Sequence, residues 1–515
     1  MGSESVPRRS RPLVRRVGAV VSAVLLLGAT AGVVLAGESV PVPGAREVPP
    51  PRVAVPATTT TLACAGAPSL VAGEGMAVDP ALEPGDVQTT TRVRALTLPR
   101  AEGAAPAATY APLDGQEEEL DDTGTLRLLD AETEEPGTLR AEPAGDRRAL
   151  ATGATVARTD AGDLRGLLAT PCLGPGTSTW LVGGSTETGS SAELVLSNTG
   201  LTPATVDLAA WGSTGPLGAT RASGILVPPQ SQERVLLEGT VDADPHLALR
   251  VDVTGGAVAA SVQTHEMTGV VPAGLASVVP AAPPATELTV PGVVLTEQDA
   301  ASSALRVVNP GQEAAEVRVV LLGPDGRSPV GGAESVVVEP GGVHDVSLAG
   351  VEPGSYGVNV VSDVPVTAGA LVTRVGEPGA LDPDIPPTDR AWSAAAEPLT
   401  SGTVTVPDAL PGTSALVVTN PSGWTQTVTV QPMNARNRQE EAVLEVPSWS
   451  TVRWVVRGGD VAGLRLTAES EAESADPGVV ASLVLTAEAD DGELISVLPV
   501  LEDPEDAEAV PVDLG

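Results

Sequence analysis

The sequence has no phenylalanine, no lysine, two tyrosines, two cysteines and three histidines in 515 residues. With so few rings, any core must be built from Val, Leu and Ala, and the missing lysine narrows the side-chain chemistry further. The histidines stand in "DPHLAL" (His246), "QTHEMT" (His265) and "GVHDVS" (His344), without the spacing of zinc ligands, and are expected in comparable strands of separate repeats. His265 beside Glu266 and His344 beside Asp345 do not make a base and its orienter, because neighbours in a strand point to opposite faces. There is no GxSxG elbow, and the glycines around Gly183 lack the strand-loop-helix setting of a phosphate loop. Nor does anything single out two of the 66 acids as a glycosidase pair. Catalysis and a cofactor are therefore not expected.

Basic residues are scarce as well. The net charge is −37, and without the first 16 residues (five Arg, one Glu) it is 24 − 65 = −41. Nucleic acid demands a basic surface, so it is excluded as a partner, as are anionic lipid heads. Cationic partners and divalent ions remain. The acid runs "GQEEELDD" (115–122), "AETEEPG" and "LEDPEDAEAV" read as solvated faces or disordered ends. Asp382 and Asp384 in "LDPDIPP" are the linker acids placed to serve calcium.

What the chain does have is repetition. Asn198, Asn309 and Asn420 are spaced by 309 − 198 = 111 and 420 − 309 = 111 residues. Apolar residues precede each Asn by four and two (Leu194 and Leu196, Leu305 and Val307, Leu416 and Val418) and follow it by eight and ten (Val206 and Leu208, Val317 and Val319, Val428 and Val430). This is the period of two that a strand requires. Between the runs, "NTGLTPA", "NPGQEAA" and "NPSGWTQ" read as hairpin loops, with the Asn bonding its own backbone two residues on. Each unit continues through a Pro-containing bend into further short strands, about seven in all. That pattern predicts an all-β chain of tandem immunoglobulin-like or fibronectin-like β-sandwiches. A period near 111 lets each unit bury its own core, so the array is expected to be beads on a string, joined by stiff Pro-rich connectors. Boundaries fall near 175, 285 and 396, giving repeats at 176–284, 285–396 and 397–500 and an acidic disordered tail at 501–515.

At the amino terminus, Arg8, Arg9, Arg11, Arg15 and Arg16 precede an uncharged run from Val17 to Gly37. Its length suits a membrane-spanning helix, and "VLAG" also offers a signal-peptide cut after Ala36. Either way, with the Arg cluster inside, the remainder is exported. The expected location is the cell membrane, in a single pass with the repeats outside, or the medium if the run is cleaved. Residues 38–63 read as a Pro/Thr-rich extended stalk.

Cys64 and Cys172, 172 − 64 = 108 residues apart, are most simply an exported disulfide that closes a degenerate fourth β domain at 64–175. Three of the six tryptophans (Trp424, Trp449, Trp454) fall in the last repeat. Trp449 and Trp454, five apart, would point to opposite faces of a regular strand. Trp424, in the loop, and Trp449, in the bend, are the candidate glycan contacts.

The segments "CLGPGTSTWLVGGST", "AELVLSNTGLTPATVDLAAWGSTGPLG", "ALRVVNPG" and "ALVVTNPS" resemble a family of unknown function, DUF5719, of exported, membrane-anchored actinobacterial proteins. In the first copy "NTG" stands where the family pattern has Asn-Pro-Gly. The resemblance implies an envelope location and carries over no catalytic residues. The expectation is therefore a non-enzymatic envelope scaffold, structural or adhesive, whose partners are envelope polymers or proteins. A glycan-binding module is the second reading and an envelope-polymer hydrolase the third.

Overall fold

The structure is a computed structural model. It describes residues 52–54, 56–69, 89–100, 104–113, 115–218, 222–379, 381–407, 412–434, 440–458, 460–471, 478–504 and 509–511. The apolar run at 17–37 and its Arg cluster lie outside them. Among the described residues no helix is long and apolar enough to cross a membrane. The fold is all-β, its helical content there being the two 3-10 turns Leu237–Gly239 and Ala300–Ser302.

The alternation around each Asn makes strands, as its period of two requires. Leu194, Leu196 and Val206, with their counterparts in the other two copies, are buried, whereas Asp207 and Arg318 face out. The loop between the strands is not a hairpin, however. Ser190–Asn198 pairs with Ser231–Leu236 and Ala259–Thr268, while Ala204–Gly212 pairs with Ala248–Thr254 and Ile225–Val227. The two runs therefore lie in different sheets, and the Asn loop is an arch between them.

The Asn side chain explains the arch. Asn309 Nδ2 donates to Glu313 O at 2.7 Å and Val338 O at 3.0 Å, and its Oδ1 accepts from Gly311 N at 3.0 Å. Asn198 makes the same three bonds to Thr202 O, Val227 O and Gly200 N, and Asn420 to Trp424 O, Val446 O and Ser422 N. Each of Val227, Val338 and Val446 ends a strand of the opposite sheet, so one buried amide fastens arch, strand end and second sheet together.

Between residues 56 and 507 each sheet draws its strands from one stretch of chain, which defines four modules. The second pairs its first strand, Ser178–Val182, with Ala248–Thr254, and Ser190–Asn198 with Ala259–Thr268. The same pairings recur in the fourth module (Ser401–Thr405 with Val461–Ser470, Gly412–Asn420 with Val480–Ala489) and in the first (Thr60–Cys64 with Gly137–Ala141, Thr90–Leu98 with Leu150–Thr159). In the third, one 22-residue strand, Gly354–Val375, runs through both layers and merges the sheets. Each core draws on both layers of its module, as with Leu196 and Val262 against Val206 and Val251.

The modules are not beads on a string, because residues 56–507 form one compact unit. Ala157 and Leu168 of the first module pack on Leu275 of the second, and Trp180 and Trp211 of the second on Val308 and Val343 of the third. Val293 and Val358 of the third share a core with Val417 and Val484 of the fourth. Leu96 and Leu98 of the first pack on Ala462 of the fourth, which closes the cycle. Buried arginines reinforce it: Arg94 Nη1 donates to Val406 O at 2.8 Å and Arg306 Nη1 to Gly184 O at 2.6 Å.

At the centre lie four strands, one per module: Gly166–Pro171, Val271–Val278, Thr388–Ala394 and Gly492–Pro499. Among the described residues each has a ladder partner on one side only, so its other edge presents N–H groups outside any ladder. Asp389, fully buried, answers them. Its Oδ2 accepts from Ile495 N at 2.8 Å and Leu167 N at 3.2 Å, and its Oδ1 from Leu275 N at 3.4 Å.

Residues assigned to stalk and tail also differ from expectation. Thr60–Cys64 is a strand of the first module, and Leu501–Glu502 extends a sheet of the fourth, with Asp503 buried against Arg465 at 2.8 Å. Arg52–Ala54 and Ala509–Pro511 pair with each other as a separate two-stranded ribbon.

Replacing Asn309 by Asp keeps the shape but removes the donated bonds and turns a carboxylate toward the carbonyls of Glu313, Val338 and Glu339. Denaturant unfolding of N309D at pH 7 should show a loss of at least about 2 kcal/mol. A loss under about 0.5 kcal/mol would mean the arch is held by packing alone.

Candidate functional site: the tryptophan corner of the last module

Trp424 and Trp449 come from separate loops of the fourth module, and the backbone brings those loops together. Trp449 N donates to Ser422 O at 3.0 Å, and a Cβ on Gly423 would lie 3.6 Å from Trp449 Nε1. Trp424 is 56% exposed. Its backbone is nonetheless fixed: Trp424 O accepts from Asn420 Nδ2 at 2.7 Å and from Ser422 Oγ at 3.1 Å. The arch that joins the sheets thus holds an indole out in solvent, at low further entropic cost to a ligand that stacks on it.

Trp449 is differently placed. It adopts φ +56°, at the position where the second module has Gln230 (φ +51°) and the third Gly341 (φ +69°). The left-handed bend after each Pro is thus a feature of the repeat that fits Gly most easily. The guanidinium of Arg327, from the third module, lies 3.4 Å from the Trp449 ring centroid, a cation–π contact across the module boundary. One face of Trp449 is therefore already occupied. Trp454 packs against the fourth module's core.

The histidines do not gather, nor do they occupy comparable strands. His246 precedes Ala248–Thr254, with Nε2 3.4 Å from Asp345 Oδ2; His265 lies in Ala259–Thr268, with Nε2 2.7 Å from Asp163 O; His344 lies exposed in Val343–Ser347. Among the described residues no three His, Cys, Asp or Glu side chains come together as a metal site. Asp382 Oδ1 accepts from Asp384 N at 2.9 Å, a turn within the linker.

A chain of 111-residue repeats, each tied by the same buried Asn, matches a protein-family profile over residues 129–457: a family of unknown function, DUF5719. The chain belongs to that family. No curated protein matches it. The DUF5719 match begins inside the first module and ends inside the fourth, so the second and third modules are covered entirely.

One concave feature of this DUF5719 chain escaped the sequence reading. A cleft of about 640 Å³ opens between the second and third modules, lined by Trp180, Arg250, Pro284, Pro310, Glu313 and Pro365. Trp180 stacks on Trp211 with ring centroids 4.9 Å apart, and Arg250 lies 5.7 Å over it. Its walls come from residues more than 100 positions apart, so only the closed arrangement of modules creates it.

The cysteines pair as expected. Cys64 and Cys172 form a buried disulfide with Cα atoms 4.2 Å apart, joining one sheet of the first module to the end of the other. The bond ties the two sheets of a module that lacks the Asn arch. Replacing both cysteines by serine should cost on the order of 4 to 5 kcal/mol, the chain-entropy value for a loop of about 100 residues. Thermal unfolding, with proteolysis reporting on residues 56–173, checks this; unchanged stability would contradict it.

Proposed function

We propose that this DUF5719 chain is a non-enzymatic extracytoplasmic scaffold of the cell envelope, structural or adhesive, that presents several contact surfaces in fixed relation. The observation that carries the reading is the closed packing of four modules around Asp389. Surfaces on a rigid body engage a polymer or a second protein together, so modest contacts add through effective concentration. The buried disulfide supports an oxidising compartment, and the Arg-flanked apolar run at 17–37 supports export with a membrane anchor or cleaved signal.

In fold terms, each module reads as a two-layer β-sandwich. Its connectivity departs from that of an immunoglobulin domain in one respect. There the first strand pairs with the second and the last with the sixth. Here the outer strands are exchanged: Ser178–Val182 lies beside Ala248–Thr254, and Ala259–Thr268 beside Ser190–Asn198.

A second reading, glycan binding, is favoured by the exposed and fixed Trp424, since pyranose faces stack on such rings. A glycan array and a cell-wall pull-down with the exported portion, compared with Trp424→Ala and Trp449→Ala, separate the two. The scaffold reading expects retention on envelope material that survives both substitutions. Binding abolished by Trp424→Ala alone would make the chain a glycan-binding module instead. Failure to bind any envelope fraction would overturn both.

A further inference from the structure

The central carboxyl is surrounded by donors, yet among the described residues no cation forms an ion pair with it. Backbone N–H groups of the three other modules, at Ile495, Leu167 and Leu275, donate to the Asp389 side chain. The charged groups facing the hub are otherwise engaged. Arg165, from the first module, donates through Nε to Asp491 at 2.7 Å and through Nη1 to Thr388 O at 3.3 Å. From the second module, Glu266 takes Arg390, and His265 turns to Asp163 O. Arg374, beside Asp389 in the third module's sheet, is held by Asp299 at 2.8 Å and by Glu493 of the fourth at 2.7 Å. Asp389 is thus left with backbone dipoles and the charge of Arg165 to offset the loss of water around its own.

We propose that Asp389 is a proton-operated latch: the closed four-module unit carries one more proton than its opened form, so closure is firm in acid and loosens as the medium turns neutral. Burial is the dominant cause; against the backbone N–H bonds and the Arg165 charge, it pushes the Asp389 carboxyl from 3.8 up to about 7. When the modules part, water reaches the group and its affinity for the proton returns to the ordinary value. Between 3.8 and about 7 the closed form therefore binds a proton that the open form lacks. The sign follows: closure is strongest at the acid end of that window, weakens as pH rises through it, and levels off beyond. The Trp180 cleft and the Arg327–Trp449 contact, both built at module boundaries, are the surfaces such a latch would control.

The test is hydrogen exchange on the full chain, read by mass spectrometry and corrected for the intrinsic pH dependence of exchange. Protection in Gly166–Pro171, Val271–Val278, Thr388–Ala394 and Gly492–Pro499 should fall by up to about tenfold per pH unit between pH 5 and 7. Protection in strands away from the hub, such as Ala442–Val446, should hold. In Asp389→Asn, which cannot titrate, the slope should vanish whatever the absolute stability. Protection that does not change with pH in the unmodified chain, or an equal slope in Asp389→Asn, would overturn the latch; the first needs no variant to fold.

Discussion

A strand at the edge of a sheet carries backbone N–H groups with no partner, and burying one costs about 1 to 3 kcal/mol unless an acceptor is found. Four such edges meet at the centre of this molecule, one from each module. Asp389 solves the problem with two oxygens turned toward Ile495, Leu167 and Leu275. The same carboxylate bears a desolvation cost for doing so, which is why its proton is held so tightly. The joining of the modules and their sensitivity to protons thus arise from one group.

Around this centre the stabilising devices are layered. Inside three modules a buried Asn fastens an arch to the opposite sheet, and inside the first a disulfide ties the two sheets. Between modules the packing is largely aliphatic in this chain without phenylalanine, with Trp180, Trp211 and Trp392 as the rings that take part. Small side chains bury little area apiece. A module of some 110 residues gains by sharing its outer faces, since the fraction of surface removed from water rises with the size of the packed unit. Val417 and Val484 of the fourth module belong to the third module's core for this reason.

The strands, their inward faces, the Asn turn and the cysteine pair were all legible in the sequence, because period-two alternation and local side-chain-to-backbone bonds are short-range physics. The partner of each strand was not. An Asn–Gly pair between two alternating runs fits a hairpin and an arch equally well, and only the third bond, to a carbonyl 29 residues away in the first two copies, distinguishes them. Proline-rich connectors suggested separation, yet they lead into strands that pack on neighbouring modules. One signal for the hub was present: at the register where the second and fourth modules have Gly274 and Leu494, the third has Asp389. A charge at an apolar position of a repeat marks a partner outside the repeat. Trp424 and Trp449 could be named as candidates from composition, but that Arg327 covers one ring and solvent the other depends on contacts between modules.

Everything rests on the four modules forming one body. Small-angle X-ray scattering on the segment from Pro56 to Ala507, in dilute solution at pH 6, tests this most directly. The closed unit should give a radius of gyration of about 22 Å, the value for a single compact body of that length. Four modules strung in line would give roughly 40 Å, from the dimensions of separate domains of about 100 residues. A value near the larger figure would contradict the account.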